Sequence, residues 1–493
     1  MINEKRVATN LRNTQYAIRS TQYAIRSTQY AIRENRMNYI PSTDADRTAM
    51  LAAVGVDSVA DLFKDVPEKL RFPALDLPPA LSEMEVLQEL QALAEENDDL
   101  SHVSCFLGAG AYYHFVPSVV DFILHRSEFF TAYTPYQPEI SQGTLQAHFE
   151  YQSMICALTG MEVANVSHYD GATAVAEAVI MALQISRSKR CKVVLSPTLH
   201  PQYREVVRTY TQGMCVLVIG EDAPLGDLSA LAARVDKETA CVIVQNPDFL
   251  GRLYPPAEMQ ALADKVHAAG ALLVVSVDPI SLGLFTPPGE YGADVVTGEG
   301  QPMGNPISFG GPYLGFFATK LSEVRKSAGR IVGQTVDVDG KRGFVLTLST
   351  REQHIRREKA SSNICSNQAL NALAAAIYMA AMGKYGLRKV AELSYHKAHY
   401  AAQLIDALPG YEVVSGGPFF KEFVVRCPAP VAEINQALLD EWGILGGYDL
   451  GNDYPALKDH MLVCVTEMIN RAEIEELADA LAEIGGQDEE VAL

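Results

Sequence analysis

The chain has 493 residues, 48% of them hydrophobic and 20% charged, with a net charge of −20. That length and apolar share suffice for two or three domains with a large core, and the acidic balance, which repels phosphates, excludes nucleic acid as an expected partner. No apolar run reaches the ~18–20 residues of a membrane-crossing helix, no secretory signal is read, and the eight cysteines contain no CxxC pair, so they read as free thiols in a reducing cytoplasm rather than as disulfides or a metal site.

Residues 13–33 repeat a seven-residue unit: NTQYAIR, STQYAIR, STQYAIR. Tyr, Ala and Ile are adjacent in each unit, not spaced as the a and d positions of a coiled coil. The segment is arginine-containing and poor in acids, as transit peptides are. The repetition reads better as a translated DNA repeat ahead of a start at Met37, so residues 1–36 are set apart as a non-native or disordered extension. Residues 37–120 read as a helical entry segment, with helix-like spacing at Thr48–Val54 and Ser82–Ala94 on either side of the proline-rich Phe72–Pro79.

Residues 121–365 read as a large α/β domain. Short β-branched runs at Lys192–Ser196, Met214–Gly220, Ala240–Gln245, Ala271–Val277 and Ala293–Thr297 alternate with helical patterns at Ala174–Ser186, Pro201–Thr211, Leu228–Val235 and Pro256–Ala269. Continuous apolar strands alternating with helices predict a mostly parallel sheet covered on both faces. Cys215 and Cys241, inside two of these runs, are expected to be buried. Residues 366–493 read as a smaller α+β domain: an Ala-rich helix over Gln368–Met382, then strands at Tyr411–Ser415, Glu422–Arg426 and His460–Cys464.

Ligands of such sheets bind beyond the carboxyl ends of the strands, and four features fall there in order. Asp170-Gly171-Ala172-Thr173 opens a helix with small residues and a hydroxyl, an anion cradle or an ordinary N-cap. His200 follows the run Lys192–Ser196, where a ring stacks on a planar cofactor or serves packing alone. Asp278 ends the run Ala271–Val277; an aspartate there holds a pyridinium nitrogen in pyridoxal-phosphate (PLP) enzymes, or is a solvated loop residue. The fourth is the turn GEGQPMGNPISFGGP (298–312), where enzymes of this fold keep the lysine that binds PLP. No lysine occurs between Lys265 and Lys320, and an aldimine needs a primary amine on the protein.

Four long segments carry a resemblance: FLGAGAYYHFVP (106–117), YTPYQPEISQGTLQAHFEYQ (133–152), HYDGATAVAEA (168–178) and STREQHIRREKASSNICSNQAL (349–370). Through them the chain, from Met37 to near its C-terminus, resembles the alpha subunit of two-subunit glycine dehydrogenase (decarboxylating), the P-protein of the glycine cleavage system. The resemblance implies a PLP-dependent transferase-like large domain (fold type I) with a smaller C-terminal domain. It implies an α2β2 assembly in which the beta subunit holds PLP covalently. Glycine is decarboxylated there and its aminomethyl group passes to the lipoyl arm of the H protein. Set beside the beta subunit's NLHK-type motif, Gln301 stands at the histidine and Pro302 at the lysine. Proline has no amine, so no catalytic residue is expected in this chain; Thr173, His200, Asp278, Gln301 and Pro302 are read as vestigial cofactor-site positions.

Active sites of this fold lie at subunit interfaces, so parts of this chain are candidates to reach the partner's site. The segment 133–143 concentrates Tyr133, Thr134, Tyr136, Gln137, Glu139 and Gln142 between prolines and a glycine, a rigid loop ill-suited to a core. Tyr112 and Tyr113 lie beside Gly108 and Gly110. Arg351, His354, Arg356, Arg357 and Lys359 form a basic cluster suited to a carboxylate, a phosphate or an acidic protein; interface packing and salt bridges are the bland alternatives for all of these. Two other readings stay open: an autonomous PLP enzyme using Lys320, and a non-catalytic scaffold or regulator. A chain beginning at Met37 is expected to assemble and turn over like the full chain; lost assembly would show that the repeat matters.

Overall fold

The structure, a computed structural model, describes residues 42–414 and 416–491. The repeat segment and Met37 lie outside the described residues. The described residues fall into two compact units that divide between Glu96 and Asn97.

The first unit holds helices Asp44–Val54 and Glu83–Ala94. Each starts with a reciprocal capping box, Thr43 with Asp46 and Ser82 with Glu85, which satisfies orphan amides of the first turn. Neither helix has a buried residue. Leu87 and Leu90, one turn apart, are 65% and 59% exposed.

In the second unit, seven strands form one sheet: β1 (Val163–Ala164), β2 (Lys192–Leu195), β3 (Leu217–Ile219), β4 (Thr239–Gln245), β5 (Leu272–Val277), β6 (Val295–Glu299) and β7 (Gly315–Thr319). Their order across the sheet is β1-β7-β6-β5-β4-β2-β3. Strands β2 to β6 are mutually parallel; β7 runs antiparallel to β6, and β1 antiparallel to β7. Helices such as Gly171–Ile185, Pro201–Thr211 and Pro256–Ala268 make the crossovers. The strand runs are buried because helices cover both faces, as the unbroken Val/Ile/Leu content requires. Two apolar clusters, one per face, contain alternate residues of β5: Leu273 and Val275 in one, Val274 in the other.

Three local expectations change. Strand β3 is shorter than Met214–Gly220 because it is an edge strand paired only with β2, and Cys215 is exposed there rather than buried. Strand β6 starts two residues later than the apolar run, since Asp294 is drawn off to bond Leu273 N and His267. The Ala-rich helix extends over Ala369–Asp406, broken where Gly383 adopts φ 57° and ψ −176°, one residue past the expected end at Met382. A hairpin, β8 (Ile331–Val336) and β9 (Arg342–Thr347), was not expected at all; its turn holds Gly340 at φ 78° and the Asp337 carboxylate on two backbone amides.

The C-terminal strands β10 (Glu412–Val413), β11 (Glu422–Arg426), β12 (Tyr448–Asp449) and β13 (His460–Cys464) form an antiparallel sheet in the order β10-β11-β13-β12. It has its own apolar core, built on Phe423, Val425, Met461 and Val463 with the helices behind them. The turn after β4 touches β11: a Cβ on Gly251, which sits at φ 83°, would stand 2.1 Å from the Glu422 carbonyl oxygen. Gly251→Ala therefore combines left-handed strain with a backbone clash. It should cost more than about 1 kcal/mol, read as a lower midpoint in denaturant unfolding.

Candidate functional site

Because β2, β4, β5 and β6 are parallel, their carboxyl ends bring His200, Gln245, Asp278 and Glu299 to one edge of the sheet. The turn before helix Gly171–Ile185 reaches the same edge, where His168 bridges Gly315 at the start of β7. The positions read from the sequence, Thr173, His200, Asp278, Gln301 and Pro302, thus converge. Lys320 does not: it follows β7 at the other end of the strands and pairs with Asp294 at 2.5 Å.

At Asp278, Oδ2 receives the Lys421 ammonium at 2.7 Å, and Oδ1 accepts from Ile280 N at 2.9 Å. Lys421 is 1% exposed. Its ammonium also donates to His114 Nε2 at 2.9 Å and lies 3.4 Å from the Tyr112 ring centre. His114 Nδ1 in turn meets Glu467 at 2.6 Å. Burial and the Lys421 charge hold the His114 pKa down, so the imidazole stays neutral and passes a hydrogen bond from lysine to Glu467.

The first amides of helix Gly171–Ile185 are also taken. Gly171 N donates to Glu299 Oε2 at 2.9 Å, and Thr173 N to its own cap, Asp170 Oδ1, at 2.7 Å. Glu299 Oε1 accepts from Gln301 N at 3.0 Å and Leu314 N at 2.8 Å. Burial pushes the Glu299 carboxyl up to about 7. His200 stacks on Tyr203 at 4.7 Å and 16°. Its Nδ1 accepts from Gln202 N, so Nε2 carries the proton and donates to Ala109 O at 2.9 Å; burial holds its pKa down to about 4.

The segment 109–115 runs across this edge. Glu422 accepts from Ala109 N at 2.7 Å and from the Tyr112 hydroxyl at 2.8 Å. Gln301 accepts from Tyr112 N at 3.0 Å and donates to Tyr112 O at 3.1 Å. Tyr112 is thus buried, and Tyr113 offers its carbonyl to Thr466. Pro302 lies buried in the following turn. Sequence reasoning passed over Lys421, Glu299 and Glu422. The signal for two of them was there: Lys421 and Glu422 interrupt the apolar run Phe419 to Val425, and charges in such a run need partners.

The loop 133–142 is a separate region. Its ends are tied down: Thr134 Oγ1 to Ser366 Oγ at 2.8 Å, and the Gln142 amide to both Phe344 N and Phe344 O at 2.8 Å. Between them Ile140 is 82% exposed and Gln137 and Glu139 are exposed as well, and Tyr133, just ahead of the first anchor, is 83% exposed. The Arg330 guanidinium lies 4.6 Å from the Tyr136 ring centre, and His354 meets that ring edge-on. A cavity of about 120 Å³ opens beneath, lined by Tyr133, Thr134, His148, Arg330, Ser366 and Leu370. In the basic cluster, Arg351 is spent on the carbonyls of Ser327, Gly329 and Leu348, whereas Arg356, Arg357 and Lys359 are exposed.

A sequence profile of the glycine cleavage system P-protein matches residues 37–481. The chain belongs to that family. It is 52% identical to a Geobacillus protein named probable glycine dehydrogenase (decarboxylating) subunit 1, over 90% of this chain and 98% of that one. It is 53% identical to a Thermomicrobium roseum protein of the same name, over 91% and 99%. Among solved structures, the inhibitor-bound crystal structure of glycine decarboxylase (P-protein) of the glycine cleavage system superposes with a TM-score of 0.80 at 43% identity, covering 91% of this chain and all of that one. A Burkholderia pseudomallei sphingosine-1-phosphate lyase shares the fold at a TM-score of 0.60 and 15% identity, over 85% and 94%. The P-protein chain is therefore an α/β protein of PLP-dependent fold type I, and no described helix is long and apolar enough to cross a membrane.

Burial, with the Asp278 charge adding to it, pushes the Glu422 carboxyl up to about 7, against the Ala109 amide, the Lys421 charge and the Tyr112 hydroxyl. A carboxyl raised in the folded state binds protons that the unfolded chain has already lost, so its contribution to stability falls as pH rises from about 5 through 7. Buried neutral histidines such as His200 act in the opposite direction. The Glu422 share is therefore read by difference. In Glu422→Gln the melting temperature should drop less between pH 5 and pH 8 than in the parent; an unchanged drop would show that this carboxyl does not titrate in that window.

Proposed function

We propose that this chain is the cofactor-free subunit of a two-chain, glycine-decarboxylating P-protein. Its partner, a subunit of similar fold, carries PLP on a lysine of its own and decarboxylates glycine. The aminomethyl group then leaves on the lipoyl arm of the H protein. The assembly is α2β2 and cytoplasmic. The relatives' names, which number this chain's type as subunit 1, support the existence of a second subunit.

The observation that carries the reading is Pro302. PLP chemistry needs an amine on the protein, and the glycine-rich turn at the strand ends offers none. The surrounding residues do not fit the cofactor either. Asp278 already has a cation in Lys421, and the helix-start amides already serve Glu299 and Asp170. No catalytic step is routed through this chain's own strand ends.

What the chain supplies is an interface. The loop 133–142 is anchored at both ends and exposed between them, so little ordering entropy is lost when a partner covers it. Tyr133, Tyr136, Gln137 and Glu139 project from it as an aromatic, amide and carboxylate set next to His354. Arg351, bonded to the carbonyls of Ser327, Gly329 and Leu348, holds the neighbouring turn in place.

The test uses the chain with and without its partner. Glycine–bicarbonate exchange should require both, and the aldimine absorbance should belong to the partner; full exchange by the partner alone would leave this chain a scaffold. Glu139→Gln should lower exchange several-fold while the complex sediments unchanged. If exchange is unaltered, the loop is packing only.

A further inference from the structure

We propose that the space this fold keeps for PLP is filled in this chain by the protein's own groups, each standing where one part of the cofactor would be held. Restoring the missing amine would therefore not restore a cofactor site.

Each part has its counterpart. The strand-end aspartate of a PLP enzyme faces a protonated ring nitrogen; here Asp278 faces the Lys421 ammonium at 2.7 Å. A cofactor phosphate sits on the first amides of a helix; here those of Gly171 and Thr173 bond the Glu299 and Asp170 carboxyls. A dianion brought to that helix start would meet two acidic side chains and, among the described residues, no cation paired with them. Space is short as well, for a Cβ on Gly171 would lie 2.3 Å from the Tyr203 hydroxyl. The ring that would stack on a planar cofactor, His200, already stacks on Tyr203, with Phe249 at its edge.

The segment 109–115 closes the arrangement from outside. Glu422, Gln301, His200 and Glu467 all bond its backbone or side chains. Lys421 sits underneath, between Asp278 on the large sheet and the face of Tyr112 on the segment. The lysine is 1% exposed and its ammonium is already engaged, so it is a structural counter-ion and not a substitute Schiff-base residue.

Two experiments test this on the full chain assembled with its partner. The first introduces Pro302→Lys, reduces the complex with borohydride in excess PLP, and maps phosphopyridoxyl-lysine by peptide mass spectrometry. Label is expected on the partner alone. Label at position 302, or on Lys421 in the parent chain, would overturn the proposal. The second is a thermal double-mutant cycle, informative even if Pro302→Lys fails to assemble. Lys421→Met strands a buried carboxylate and should lower the melting temperature by several degrees, and adding Asp278→Asn should recover most of the loss. A single variant that melts like the parent, or a double variant with no recovery, would show that Lys421 is not the counter-ion of Asp278.

Discussion

A carboxylate at the end of a buried strand has to be met by a positive charge, or it does not stay ionised. Asp278 stands at such a place, 10% exposed at its side chain, and Lys421 meets it. Removing one member of a buried pair costs about 3–5 kcal/mol, because the other is left uncompensated. Much of the molecule is arranged around keeping this pair intact. Lys421 is carried by the residue just ahead of β11, and the register of β11 on β13, with Glu422 opposite Cys464, fixes where it points. The segment 109–115 covers it, held by carboxyls from the start of β11, Glu422, and just past the end of β13, Glu467. Unmaking any of these contacts would expose the pair or separate it.

The outer surface follows a different logic. Inside the strand-end region the helix-start amides and the Lys421 ammonium already have protein acceptors, while His168 Nε2 and Thr297 Oγ1 are buried without a partner. The loop 133–142 shows the reverse, with firm anchors and unused side chains. Such a division suits a subunit whose own interior has become core and whose contribution is made outward. The exposed apolar residues of helices Asp44–Val54 and Glu83–Ala94 fit the same proposal, because a chain exposing that much apolar surface is suited to association.

Much of this was legible in the sequence, for physical reasons. Strands buried on both faces must be apolar throughout, so β2, β4, β5 and β6 announced a parallel sheet, and the polar residues at their ends announced its working edge. The glycine-rich turn without a lysine was visible by inspection. Pairing was not. Nothing local links Lys421 to Asp278 or Glu299 to Gly171, since partners are fixed by which strand ends the topology brings together. The hint lay in composition alone, a Lys-Glu pair set between phenylalanines and valines. Edges were misjudged for a related reason. Cys215 looks buried in an apolar run, yet β3 is the last strand of the sheet and has one bare side. The expected helix end at Met382 fell one residue short of the break at Gly383; the helical stretch that resumes beyond it, to Asp406, was not read.

The filled site also bears on why charges are there at all. Apolar side chains of equal volume would occupy the space at similar or lower free-energy cost, since burying an ion pair recovers little beyond its own desolvation. Apolar contact, however, is non-directional, and a sheet end packed only with leucines would tolerate small slides of the C-terminal strands across it. A lysine that must reach one carboxylate oxygen, one imidazole nitrogen and one ring face at once tolerates none. Through Glu422 and Gln301 the same constraint fixes segment 109–115, and Gln301, bonded also to Asn305 O, ties that segment to the turn between β6 and β7. The internal ions therefore act on geometry more than on stability, holding the strand ends, segment 109–115 and the C-terminal sheet in one register.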